Sequence, residues 1–163
     1  MRQGLTDQAT QPAGGIVVAD PLPTTDDWRI ALQSDETADD SDKTFTVPAS
    51  TEWQILWIWV ELTTTGTAGD RQLVVEVQDS ANDVIGQPFR AQAVQAASLT
   101  RYYQFGASLP DLDDFRDTDW LCCPIPPGFM LQAGDQLRIY DNKAIDAAAD
   151  DMILQVQIAS RAV

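Results

Sequence analysis

Residues 52–62, Glu-Trp-Gln-Ile-Leu-Trp-Ile-Trp-Val-Glu-Leu, form the strongest strand-like run in the chain. Aromatic and β-branched side chains at this density favour extended backbone. Simple alternation sets Trp53, Ile55, Trp57 and Trp59 on one face and Leu56, Ile58, Val60 and Leu62 on the other. Both faces are apolar, so the strand has to be covered on both sides. A small β domain offers its own core to one of them. The other needs an internal loop packed over it or a neighbouring subunit, and the sequence leaves both open.

Shorter alternating runs follow the same logic at residues 28–32, 44–48, 71–78, 99–105, 120–125, 136–141 and 151–158. In the 99–105 run, Tyr102 and Phe105 are the expected anchors. Turn clusters at 66–70, 79–83, 126–128 and 133–135 separate the runs. Residues 52–62, 71–78 and 84–86 read as a meander, 91–97 as a short helix or extended loop, and 144–149 as one helical turn. Residues 34–43 and 110–119 read as solvated acidic loops. Calcium binding is their sharper alternative, although 34–43 lacks the glycine and terminal glutamate of a helix–loop–helix site. Seven or eight short strands between turns predict an all-β fold, a single antiparallel β-sandwich of jelly-roll type over residues 28–163. Residues 1–27 read as an extended N-terminal arm.

Several chemistries lose their residues. The 163-residue chain has no histidine, which removes the usual neutral-pH base, the imidazole metal ligand and every His-assisted nucleophile. The two cysteines, Cys122 and Cys123, are adjacent and too few for a zinc site without His; they read as small, partly buried thiols near a strand, with an intermolecular disulfide or a soft-metal site as alternatives. Phosphate-cradling loops lack their lysine and their strand–loop–helix setting. Asp is abundant enough for chance carboxylate pairs, but no Glu sits in a glycosidase-like setting. The expectation is a protein that is not an enzyme and has no catalytic residues, cofactor or metal. A net charge of −15 argues against nucleic acid and anionic membranes as partners. No apolar stretch approaches the ~20 residues that span a bilayer, and the first eight residues lack a signal-peptide core. Synthesis in a reducing cytoplasm is expected. A chemically empty, acidic β domain with surplus apolar strand surface has the profile of an assembly component. Trp53, Trp57, Trp59, Ile16, Val17 and Val18 are its candidate interface residues. Sugar stacking on the tryptophans is the rival use.

The run Thr44-Phe45-Thr46-Val47-Pro48-Ala49, then Glu52-Trp53-Gln54-Ile55-Leu56 and Trp59-Val60-Glu61-Leu62, resembles small structural proteins of tailed bacteriophages and prophages. Gly69-Asp70-Arg71-Gln72-Leu73, Ala97-Ser98-Leu99-Thr100-Arg101-Tyr102-Tyr103, Arg138-Ile139-Tyr140-Asp141 and Ala144-Ile145-Asp146 extend the likeness over residues 44–158. It is a pattern of core and turn residues without an active-site motif. The resemblance implies a virion protein made in the host cytoplasm. A capsid cement (decoration) protein on the capsid surface comes first. Its partners would be the major capsid protein and copies of itself, as a homotrimer by analogy. A tail or head–tail connector component comes second, and a host-recognition or carbohydrate-binding module third.

Overall fold

The computed structural model describes residues 27–107, 119–143 and 145–163. Of the expected arm only Asp27 is among them, so Ile16, Val17 and Val18 lie outside the described residues, as do residues 110–118 of the second acidic stretch. Ten strands are described: β1 (Arg29–Asp39), β2 (Asp42–Thr46), β3 (Thr51–Thr63), β4 (Leu73–Gln78), β5 (Phe89–Arg90), β6 (Thr100–Ala107), β7 (Trp120–Ile125), β8 (Met130–Leu131), β9 (Gln136–Asp141) and β10 (Asp151–Ala162).

They make two sheets. The larger runs β1-β10-β3-β6-β7, with β8 also paired to β3; the smaller runs β2-β9-β4-β5. Apart from β7 and β8, the pairing is nested: β1 with β10, β2 with β9, β3 with β6 and β4 with β5. That nesting is the jelly roll, two Greek keys folded over one core. Ile58, Val60, Leu62, Tyr103, Phe105, Leu154 and Val156 fill the core from the larger sheet, and Leu73, Val75, Leu137 and Ile139 meet them from the smaller. The expected all-β sandwich is therefore what forms. One pair departs from the antiparallel expectation, because β7 runs parallel to β6.

Three local expectations fail for identifiable reasons. No meander forms, because β3 and β4 belong to different sheets and the chain crosses the sandwich between them. Residues 34–39 are strand, not loop. Their carboxylates are tolerated because Lys43 ion-pairs with both Asp35 and Asp39. β1 is an edge strand, and an acidic edge resists pairing with another chain. In β6 the anchors are Tyr103 and Phe105, which share the inner face; Tyr102 points outward. Of the expected helical turn at 144–149, residue 144 lies outside the described residues, and residues 146–150 form a turn closed by the Asp150 amide donating to the Asp146 carbonyl at 2.8 Å.

The face assignment of β3 also changes. Its register against β10 steps from Trp57↔Gln157 to Ile55↔Ile158, leaving Leu56 unpaired in a β-bulge. A bulge inserts one residue and reverses the phase of alternation. Trp53 and Ile55 face the core before it, and Ile58, Val60 and Leu62 after it. Trp57 and Trp59 are thereby turned to the outer face. The bulge also marks a change of neighbour: the same edge of β3 pairs β8 at Trp53 and Gln54, then β6 from Trp57 onward.

A buried polar hub closes one end of the sandwich. Arg71 and Asp150 are fully buried. Arg71 Nε lies 2.7 Å from Asp150 Oδ2, and Nη2 lies 3.1 Å from Oδ1. Nη1 donates to the Thr67 and Gly69 carbonyls at 2.8 Å, and Nη2 also reaches Thr65 Oγ1 at 3.3 Å. All five guanidinium hydrogens thus have acceptors. Asp150 Oδ1 also accepts the Thr65 amide at 2.7 Å, and Asp146 accepts the Thr65 and Thr67 hydroxyls. Gln95 exchanges backbone hydrogen bonds with Arg71, donates to the Leu62 and Leu99 carbonyls at 2.8 Å, and accepts the Tyr103 hydroxyl at 2.9 Å. Burial pushes that hydroxyl up to about 12, so it stays a donor. Gly69, at φ +143°, completes the turn; a Cβ there would lie 2.2 Å from Ile145 Cδ1.

Three outcomes follow from this packing. Deleting Leu56 restores unbroken alternation and should cost about 1–2 kcal/mol, an ordinary single-residue effect. Deleting Trp59 throws Val60 and Leu62 outward at ~1.5–3 kcal/mol each and should abolish two-state folding; urea unfolding reads both. Asp150→Asn strands a buried guanidinium and should cost about 3–5 kcal/mol, whereas replacing Arg71 and Asp150 together by apolar residues should cost less. The pH dependence has a definite sign. Burial pushes the Asp150 carboxyl up, but Arg71 and the Thr65 donors outweigh it and hold it below the usual carboxylate range, while the Thr65 and Thr67 hydroxyls lower Asp146. A depressed carboxyl stabilises the fold above the ordinary value of ~4, and the contribution is lost as pH falls through the lowered one. Acid titration followed by circular dichroism should show a loss of stability below about pH 4 that Asp150→Asn attenuates.

Candidate interaction surface

The bulge, the cross-strand register and the added strand β7 together build the outer face of the larger sheet. Register sets its side chains in rows. One row runs Ile153, Glu61, Tyr102, Trp120, and the next Ser34, Gln155, Trp59, Gln104, Cys122; beside them Glu36 accepts a hydrogen bond from the Gln155 amide at 3.4 Å. Then come Leu32, Gln157, Trp57, Gly106, Pro124, and finally Ile30, Ala159, Gln54, Met130. Trp57, Trp59 and Tyr102 are half-buried; Ile30, Leu32, Trp120 and Met130 are exposed.

The aromatic rings form a ladder across three strands. Trp59 and Tyr102 have centroids 6.2 Å apart with planes 19° from parallel; Tyr102 and Trp120 are 4.8 Å apart at 24°. Offset stacking of this kind is favourable and stiffens the face. Tyr102 is flanked on both sides, so its ring faces meet other rings instead of water. The remaining positions are mostly amides or small apolar groups. The carboxylates Glu36 and Glu61 lie at one end, and at the other end Arg161 ion-pairs with Glu52 and sits over the Trp28 ring, 4.7 Å from its centroid.

The outer face of the smaller sheet is unlike this. Arg138 pairs with Asp42 at 2.7 Å and Glu76 at 3.6 Å, and its guanidinium lies 4.2 Å from the Tyr140 ring centroid. The Tyr140 hydroxyl donates to Glu76 at 3.0 Å. Charges there neutralise one another within the chain. The buried ionisable groups Arg71, Asp150, Glu76, Glu52 and Lys43 are likewise engaged in ion pairs within the protein, and one oxygen of buried Asp141 accepts the Gln72 and Lys143 amides. Among the described residues, no group of three or more His, Cys, Asp or Glu side chains is placed to hold a metal ion.

Of the expected interface residues, Trp53 is in the core while Trp57 and Trp59 reach the surface, so the three do not act together. Tyr102, Trp120 and the amides Gln104, Gln155 and Gln157 complete the face and were not expected there. Alternation from Tyr103 and Phe105 could have placed Tyr102 outside; nothing local signals that β7 lies parallel to β6. Cys122 is on the outer face and Cys123 is buried, in keeping with small thiols on a strand.

The sequence matches no protein-family profile and no curated protein. Among solved structures it is similar to a chain in the structure of infectious bursal disease virus Gx strain, at 12% identity and a TM-score of 0.38. The match covers 85% of this chain and 37% of that one, so the chain spans little more than a third of that chain's length. A likeness of this size assigns neither family nor function.

The ladder is measurable on its own. A double-mutant cycle on Tyr102→Leu and Trp120→Leu, read by urea unfolding, should return a coupling of about 0.5–1.5 kcal/mol.

Proposed function

We propose that this chain is a structural protein of a virus particle of the tailed-phage type, and that it works as a capsid cement protein. In this reading it has no catalytic task. It binds across neighbouring major capsid subunits and to its own copies, on the outside of the shell. The observation that carries the reading is the aromatic and amide face of the larger sheet, which the described residues leave uncovered. Contiguous apolar surface of this kind is costly in water and is characteristically buried against other proteins. Two further features support it. The residues of the phage-protein resemblance, 44–158, supply the core, the hub and the turns. The jelly roll is also an architecture used in capsid domains, an argument by fold analogy. Clamping a shell requires buried apolar area on one side and a soluble exterior on the other, and a net charge of −15 supplies the second.

The sugar-binding alternative is less well served. Stacking a sugar needs an aromatic face open to solvent, and the central ring of the ladder has neighbours on both sides.

Copy number and position in an imaged particle test the proposal. Hundreds of copies spread over the shell are expected. A dozen or fewer at one vertex would replace the cement role with a connector role, and absence from particles would end the virion reading.

A further inference from the structure

We infer that the outer face of the larger sheet is a self-docking surface, and that two copies of this chain pack through it face to face about a two-fold axis lying across the strands. The inference deepens the assembly reading by naming the occupant of that face, and it rests on the same surface.

A two-fold interface sets one patch against itself, so the patch must be chemically self-complementary. A chain of net charge −15 offers few such surfaces, because most patches would set carboxylates against carboxylates. The centre of this face meets the requirement. Gln104, Gln155 and Gln157 carry amides, each both donor and acceptor, so an amide can pair with the amide of an identical copy. Trp57, Trp59 and Leu32 bring surface that is equally indifferent to whether its partner is the same or different.

The ends of the face fix the direction of the axis. Glu61, and Glu36 through its contact with Gln155, lie at one end; at the other, Glu52 is already neutralised by Arg161. An axis along the strands would oppose each acid end to its own copy. An axis across the strands lays the acid end over the neutralised end. Strand spacing and rise give the five-strand, four-row face roughly 600 Å². Two copies would then bury about 1,200 Å², the lower bound of a stable specific interface.

The test uses the full chain. Sedimentation equilibrium from micromolar to millimolar concentration should show a monomer–dimer equilibrium. Gln157→Glu, which puts an acid at the centre of the face, should weaken dimerisation at least tenfold, and Trp57→Gln should do the same. Thermal melting of dilute samples checks that both variants stay folded. Hydroxyl-radical footprinting of the unsubstituted chain reads the face without any variant: Trp57, Trp59 and Trp120 should be protected in concentrated samples and exposed on dilution, and Trp53 should not respond. A chain that stays monomeric at millimolar concentration, a trimer, or a dimer indifferent to Gln157→Glu would each overturn the inference. None of these would bear on particle copy number, so the cement reading stands or falls separately.

Discussion

The Arg71–Asp150 pair holds together what the core alone leaves loose. In a jelly roll the sheets are joined by chain that crosses from one to the other, and every crossing exposes backbone groups that need partners. Here one guanidinium takes up carbonyls from the β3–β4 crossing, and one carboxylate takes up an amide from the same crossing while belonging to the β9–β10 connection. Gln95 brings in the segment before β6. The ion pair is a poor source of net stability, because removing two charges from water cancels most of their attraction. Its contribution is geometrical: it determines where three loops end and therefore where β4, β6 and β10 begin.

Much of this architecture was legible in the sequence, and the failures have physical causes. Strand positions followed from alternation and turn chemistry, since most runs of apolar residues at period two lie near clusters of Gly, Pro, Asp, Ser or Thr. The hub was not legible, because Arg71 and Asp150 are 79 positions apart and look like ordinary surface charges. Residues 34–39 looked like a loop because acidic composition says nothing about a lysine that arrives to neutralise it. The parallel β6–β7 pair is a tertiary choice with no local signature.

The tryptophans show how one residue can alter a functional reading. Period-two counting through residues 52–62 is correct on either side of Leu56 and wrong across it. A single bulge keeps Trp53 in the core and sends Trp57 and Trp59 to the surface. There they join Tyr102 and Trp120 from two other strands, and the candidate face is consequently wider than the one strand that first suggested it. The sequence required cover on both sides of that strand. The structure divides the demand between the sandwich interior and a surface that the described residues leave open.

The nesting of β1 with β10 also bears on how the chain reaches its fold. β10 lies between β1 and β3, so the larger sheet stays open between those two strands until residues 151–162 have left the ribosome. Up to that moment both flanking strands carry unsatisfied edges, and every closing contact spans most of the polypeptide. Such a topology folds late and slowly compared with local hairpins. Nascent chains are therefore exposed to mispairing with one another during translation, and their acidic composition then acts as a safeguard by mutual repulsion before any packing has begun.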